Sequence, residues 1–113
     1  MHSQIIAKTF GLPWSVTMQD WEIEAADPSK IDEFLAAWYE IPESARPCLA
    51  ELIMASFEEA LSDGAFSPES WSRYCLCLKQ DLNAYRSLLD YWRDSGTGDD
   101  CFAVAAHIEH SFC

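Results

Sequence analysis

The stretch that decides the fold is residues 67–93, SPESWSRYCLCLKQDLNAYRSLLDYWR. Ser67 is a favoured helix N-cap residue, and Pro68 fits the first helical turn, where no backbone N–H donor is needed. After the first turn, the apolar residues recur at spacings of three and four, which places them on one face of a helix. They are Trp71, Tyr74, Cys75, Leu78, Leu82, Tyr85, Leu89 and Trp92. The pattern predicts one long helix, with a kink near Asn83 as the alternative.

Three further helices are predicted around this stretch. The first begins at Asp27 and Pro28 and ends before Pro42, because the residue before a proline resists helical geometry. The second runs from about residue 44 to 62 and ends at Gly64, since glycine adopts the left-handed C-cap conformation without a Cβ clash. The last follows a glycine-containing loop at residues 94–99 and is capped by Asp100.

The first 26 residues are less regular. Ile5, Ile6 and Phe10 fit a short helix that ends at Gly11, whereas residues 14–24 alternate between apolar and polar as a strand does. A short strand or hairpin is one alternative for this segment, and an unpaired extended arm is the other. The sequence therefore predicts a mainly α fold in a single domain, 1–113, with an extended arm (1–26) and a compact core of about four helices (27–113).

The chain is strongly acidic. Nineteen Asp and Glu residues face seven Lys and Arg residues, which gives a formal net charge of −12. Domains of this size usually carry a net charge of magnitude ~2–8, and a larger excess destabilises the fold by self-repulsion. The charge disfavours nucleic acids and anionic membranes as partners and favours a basic protein surface. A role in solubility alone is the alternative explanation.

The sequence also bears on the compartment. No stretch resembles an export signal, and no apolar run is long enough to span a membrane. The five cysteines are odd in number and irregularly spaced, which favours free thiols in a reducing environment. We therefore expect a cytoplasmic protein.

Patterns that would support catalysis are weak. Cys75 and Cys77 are separated by about 200° around a helix axis, so they cannot share one metal ion. A small metal-binding protein or enzyme that uses the C-terminal cluster of His107, His110 and Cys113 is an alternative interpretation. No glycine-rich phosphate loop is present, and the paired carboxylates, such as Glu22 with Glu24 and Glu58 with Glu59, lie beside no candidate pocket motif. We therefore predict no catalytic residue, no metal ligand and no cofactor.

The outer face of the predicted second helix is the most suggestive binding surface. Its acids flank a methionine, and such a mixed surface can be desolvated against a basic protein. Tryptophan is a common anchor at interfaces, which adds Trp21. An ordinary solvated helix face is the alternative. The predicted partner-binding residues are Glu51, Met54, Glu58, Glu59, Asp63, Asp94, Asp99, Asp100, Trp21, Glu22 and Glu24.

Three segments carry a resemblance to a known group of proteins: DWEIEAADPSKIDEFL (20–35), LIMASFEEAL (52–61) and LLDYWRDSGTGDDCFAVAAHI (88–108). In these segments the chain resembles the small acidic immunity proteins of bacterial polymorphic-toxin and contact-dependent competition systems. The resemblance implies a tight one-to-one inhibitor, expected as a monomer or weak dimer, that blocks the active site of a toxin. It implies no particular fold.

The expected compartment narrows the choice of toxin. An immunity protein in the cytoplasm would meet a toxin with a cytoplasmic target, such as a nuclease, and nucleases are commonly basic because they bind phosphate. A phage-encoded inhibitor that mimics DNA and blocks a nucleic-acid-binding defence complex is the alternative from a related class.

Overall fold

The computed structural model describes residues 2–12, 14, 21, 25–94 and 103–112. Within these residues the chain forms six α-helices and no strand. The helices are α1 (His2–Phe10), α2 (Ile31–Ala36), α3 (Arg46–Asp63), α4 (Pro68–Lys79), α5 (Leu82–Asp94) and α6 (Ala105–Phe112). Short 3₁₀ turns, Pro28–Lys30 and Glu43–Ala45, lead into α2 and α3. The predicted mainly α fold is confirmed, with more helices than the four expected.

Three of the local start and stop signals act as predicted, whereas the first predicted helix ends at Ala36 and not just before Pro42. The Asp27 carboxylate accepts a hydrogen bond from the Ser29 backbone N–H at 3.0 Å, which caps the turn before α2. The Ser67 hydroxyl accepts from the Ser70 N–H at 3.3 Å at the start of α4. At the end of α3, Gly64 adopts the left-handed conformation with φ of 73°.

Helix α3 lies at the centre of the molecule. It packs against α1, α2 and α5, and nine of its residues are buried. Its one buried hydroxyl, that of Ser56, donates to the Leu52 carbonyl at 2.8 Å and accepts from the Asp27 N–H at 3.0 Å. The hydrogen-bonding capacity of this hydroxyl is therefore satisfied within the core. A helix that is apolar around most of its circumference is stable only when neighbours cover it on several sides.

The N-terminal segment contributes to the core. The predicted short helix is present as α1, and the ring of Phe10 packs edge-on against Phe34 with 4.9 Å between centroids. Ile6 is fully buried. The prediction that residues 1–26 form an extended arm is therefore wrong for residues 2–10, because their apolar side chains are needed to cover α3. The predicted strand at 14–24 lies outside the described residues, except for Trp14 and Trp21.

The predicted long helix at 67–93 is two helices. Helix α4 ends at Lys79, and a turn follows in which the Asp81 N–H donates to the Leu78 carbonyl at 3.2 Å. Helix α4 packs on α2 and, through Trp71 and Tyr74 against Phe57, on α3, whereas α5 packs on α3 and α6. The helix is interrupted at Gln80 and Asp81, and the two resulting helices share α3 but differ in their second neighbour, which is α2 or α6. The break lies close to the alternative kink at Asn83.

None of the helices in the described part of the chain combines the length and the apolar character that crossing a bilayer requires.

Candidate protein-binding surface

Two of the predicted partner-binding acids are engaged inside the molecule. Trp92 Nε1–H on α5 donates to Glu51 Oε2 at 3.1 Å. The two carboxylate oxygens of Glu58 accept hydrogen bonds from the backbone N–H groups of Ala103, at 3.0 Å, and Val104, at 2.9 Å. A carboxylate in this position satisfies donors at the start of α6 and interacts favourably with the positive end of its helix dipole. Both acids hold neighbouring helices against α3.

The prediction that Met54 lies on an outer face of α3 is wrong. Met54 is fully buried, and its neighbour Ala55 is buried as well. The helical periodicity of α3 identified one apolar face, but the opposite face is also covered, because α3 is surrounded by other helices. Met54 is therefore a core residue.

The remaining predicted residues fall into three groups. Glu59 and Asp63 are exposed near the end of α3, one helical turn apart. Trp21 is buried, with only 4 % of its surface exposed, so it packs in the core and is not the surface anchor that was predicted. The last group lies outside the described residues: Glu22, Glu24, Asp99, Asp100 and the side chain of Asp94.

Most of the seven basic side chains are engaged in contacts within the chain. Lys30 Nζ donates to the Phe10 carbonyl at 3.2 Å, and Arg46 Nε donates to the Trp38 carbonyl at 2.9 Å. The other contacts of basic residues are the ion pair between Arg73 and Asp32 at 3.4 Å, the ion pair between Arg93 and Asp90 at 3.2 Å, and Lys79 over the ring of Phe112. The two ion pairs use the charges of Arg73 and Arg93, and seven basic residues cannot balance nineteen acids in any arrangement.

Many exposed acids consequently lack a counter-charge. Within the described part of the chain, eight exposed carboxylates form no ion pair. They are Glu33, Glu40, Glu43, Glu59, Asp63, Glu69, Asp81 and Glu109.

Two of these acids border a cleft that forms where the chain turns between α4 and α5. The cleft has a volume of about 110 Å³ and is lined by Trp38, Glu43, Arg46, Gln80, Asp81 and Tyr85, among others. Tyr39 does not line the cleft but contacts two residues that do, Gln80 and Arg46, and we call the site the Tyr39 cleft. The Tyr39 hydroxyl donates to Gln80 Oε1 at 2.5 Å, which ties the end of α2 to the break between α4 and α5.

The electrostatics of the Tyr39 cleft are set by charges from three segments. Burial raises the pKa of the Tyr85 phenol, the Asp81 and Glu43 carboxylates add to that rise in pKa, and the Arg46 guanidinium opposes it. Arg46 also lies over the Tyr39 ring, with 5.3 Å from its Cζ atom to the ring centroid. The cleft thus combines two carboxylates without ion pairs and one guanidinium, and it lies beside Tyr39, which is 59 % exposed.

A second, shallower groove of about 440 Å³ lies between α4 and α6. Trp71, Cys75, Lys79 and His110 line it, and Trp71 Nε1–H donates to Ser111 Oγ at 3.0 Å across it. Burial raises the pKa of the Cys75 thiol. A raised pKa keeps the thiol protonated, which is the opposite of what a catalytic nucleophile requires.

The C-terminal histidines were the predicted alternative for metal chemistry. The His107 ring packs on Phe66, with 4.4 Å between centroids, and lies near Trp71. Within the described residues, no group of three or more His, Cys, Asp or Glu side chains is placed to hold a metal ion. Cys113, the third member of the predicted cluster, lies outside those residues.

Comparisons of the chain with models of protein families, with curated proteins and with solved structures gave no match. The role of the protein must therefore be inferred from its own charges and surfaces.

The Tyr39 cleft was not predicted from the sequence. It joins residues 38–46 to residues 77–85, which are about 40 positions apart, as the contact between Tyr39 and Gln80 shows. The sequence signal that could have indicated it is the polar run Lys79, Gln80 and Asp81, which interrupts the apolar pattern in the middle of the predicted long helix.

Proposed function

We propose that this protein is an acidic protein-binding inhibitor, namely an immunity protein that neutralises a basic bacterial toxin in the cytoplasm by covering the active site of that toxin. The observation that carries the proposal is the set of eight exposed carboxylates without ion pairs, on a chain with a net charge of −12. The seven basic side chains are twelve fewer than the nineteen acids, and two of them, Arg73 and Arg93, are paired with Asp32 and Asp90.

This charge distribution suits a protein that must find a basic partner quickly. Opposite fields accelerate encounter and favour the correct orientation, and the gain falls as salt increases. Self-repulsion among the acids destabilises the free protein, and a basic partner relieves it. A nuclease toxin is a natural candidate, because its phosphate-binding surface is positively charged.

The concave sites of the described residues favour binding over catalysis. Sites for small-molecule ligands commonly have volumes of roughly 300–1,000 Å³. The Tyr39 cleft, at about 110 Å³, is smaller than this range. The groove between α4 and α6, at about 440 Å³, falls within this range, but it is shallow. Burial also raises the pKa of its Cys75 thiol.

The proposal is tested in two steps. The protein is immobilised, exposed at low salt to extract from the cells that encode it, and the retained proteins are identified by mass spectrometry. Each basic protein is then purified, and its enzymatic activity is measured against increasing amounts of this protein. We expect inhibition that is complete at a one-to-one ratio, and an association rate that falls steeply with salt.

Two results would overturn the proposal. One is the recovery of no basic protein. The other is a retained protein whose activity is unchanged by a saturating excess of this chain. A retained complex that binds nucleic acid, and from which duplex DNA displaces this protein, would instead support the DNA-mimic alternative.

A further inference from the structure

We propose that the Tyr39 cleft receives the guanidinium group of an arginine side chain from the basic partner. This inference rests on the proposed function and names the point at which the partner is anchored.

The size of the cleft fits one side-chain head. At about 110 Å³, the cleft is smaller than the roughly 300–1,000 Å³ of sites that hold small-molecule ligands, so it suits a compact group such as the head of one side chain. A guanidinium group has four heavy atoms. The aromatic rings of Trp38 and Tyr85 line the cleft and displace water from an inserted group. Desolvated pockets of this kind favour the interface residues that dominate binding, and arginine is enriched among those residues.

The charge of the cleft favours a cation. Glu43 belongs to the turn before α3, and Asp81 belongs to the break between α4 and α5, so the two carboxylates reach the cleft from different segments. Both act on Tyr85, and neither forms an ion pair. Arg46 offsets one of these two charges, which leaves the cleft with a net negative charge on an acidic protein.

Within the chain, the Arg46 guanidinium already contacts a carbonyl and an aromatic ring of residues in or beside the cleft. Arg46 Nε donates to the Trp38 carbonyl, and the Arg46 Cζ atom lies 5.3 Å from the centroid of the Tyr39 ring. Planar guanidinium groups stack on aromatic rings and bind carboxylates through two parallel hydrogen bonds, whereas the lysine ammonium is a strongly hydrated point charge. The chemistry therefore favours arginine over lysine.

Tyr39 is held in place before any partner binds. Its hydroxyl is hydrogen-bonded to Gln80, yet 59 % of the residue is exposed. Since the side chain is already ordered, little conformational entropy is lost when a partner contacts it. An exposed, fixed tyrosine beside unpaired acids is a suitable anchor for a basic partner.

The probe for this inference is N-acetyl-arginine N-methylamide, added to the ¹⁵N-labelled full chain and followed by NMR. We expect saturable shifts centred on the backbone amides of Tyr39, Gln80, Asp81 and Ala84. The double variant Glu43→Gln/Asp81→Asn should weaken binding by at least about fivefold, because two charge contacts are lost. Asn is chosen at position 81 because it is as good as Asp at the start of a helix.

A matched control separates the cleft from the general field of the protein. The double variant Glu69→Gln/Glu109→Gln removes the same two charges from exposed positions that do not line the cleft. Binding of the probe should then change by less than about twofold. An equal loss in both double variants would overturn the inference, as would shifts that spread over the acidic surface without saturation.

Two further probes test the chemistry of the occupant. N-acetyl-lysine N-methylamide should bind more weakly than the arginine derivative, and equal or tighter binding would contradict the preference for a guanidinium. Sodium acetate should not saturate the cleft. If acetate binds there and the arginine derivative does not, the cleft is an anion site built on Arg46, and the inference is wrong.

The cleft and the proposed function can fail separately. If a basic partner is inhibited equally well by the wild type and by Glu43→Gln/Asp81→Asn, the cleft inference fails and the proposed function stands. If the arginine derivative saturates the cleft but no basic protein is retained and inhibited, the proposed function fails while the guanidinium specificity of the cleft stands.

Discussion

The acidic residues of α3 and those of the Tyr39 cleft are chemically the same but are placed differently. On α3, Glu51 accepts a hydrogen bond from Trp92, and Glu58 accepts two from the backbone at residues 103 and 104. In the cleft, Glu43 and Asp81 are exposed and form no ion pair. Glu51 and Glu58 stabilise the fold, whereas the cleft acids, like Glu59 and Asp63 near the end of α3, remain available to a partner.

The positions of the two sets explain the difference. Helix α3 is covered by other helices on several sides, and Glu51 and Glu58 meet donors from those segments, whereas Glu59 and Asp63 lie on its exposed part. Glu43 and Asp81 lie in turns at the ends of helices, where the chain faces solvent. The difference shows that an acid in a helical pattern is not automatically a surface group, and that a helix break can expose acids which the pattern assigns to a continuous helix.

The largest expected effect on stability is that of replacing Met54, which the helical pattern places on an outer face of α3. The substitution Met54→Ala should lower the free energy of unfolding by about 2–5 kcal/mol, because a fully buried side chain leaves a cavity. Met54→Leu, which nearly conserves volume, should cost less than about 1.5 kcal/mol. Urea unfolding measures both. A cost below about 0.5 kcal/mol for Met54→Ala would indicate that this side of α3 faces solvent.

The second largest effect on stability is expected at Glu58. The substitution Glu58→Gln should lower the free energy of unfolding by about 1–3 kcal/mol, since one oxygen acceptor and the negative charge at the start of α6 are lost. Hydrogen exchange of the α6 amides should become faster. The neighbouring substitution Glu59→Gln makes the same chemical change at an exposed position and should stay within about 0.5 kcal/mol. Equal effects at the two positions would contradict a structural role for Glu58.

These residues also show how far sequence reasoning reaches. Helix ends such as Asp27, Gly64 and Ser67 were predicted correctly, because a cap depends on residues within one turn of it. The role of Glu58 depends on donors 45 and 46 positions later in the chain, which no local pattern reveals. The Tyr39 cleft also depends on residues that are far apart in the chain, because it forms only when the helices pack together.

A third, smaller effect concerns Tyr74, whose hydroxyl donates to the Ala50 carbonyl at 2.6 Å. Tyr74→Phe should cost about 0.5–1.5 kcal/mol at neutral pH, through the lost hydrogen bond. Burial raises the pKa of the Tyr74 phenol well above its ordinary value, and the charge of Glu51 on α3 contributes to the raised pKa.

The raised pKa makes the cost of Tyr74→Phe depend on pH. Above a pH of about 10 the unfolded chain releases the tyrosine proton while the folded chain keeps it, so this contribution to stability is lost as pH rises. One pH unit above that value, the stability difference between wild type and Tyr74→Phe should narrow by up to about 1.4 kcal/mol. Urea unfolding of both proteins at neutral pH and at one unit above pH 10 measures this change. A stability difference between wild type and Tyr74→Phe that is the same at both pH values would contradict a buried phenol.

The smallest effect on stability is expected in the Tyr39 cleft. Glu43→Gln/Asp81→Asn should change the free energy of unfolding by less than about 0.5 kcal/mol, because neither carboxylate loses an ion pair and mutual repulsion is reduced. The matched variant Glu51→Gln/Glu58→Gln removes the same two charges from α3 and should be clearly less stable in urea unfolding, because its hydrogen bonds to Trp92 and to the start of α6 are weakened. If instead the cleft variant loses as much stability as the α3 variant, Glu43 and Asp81 maintain the fold, and their exposure cannot be assigned to a partner.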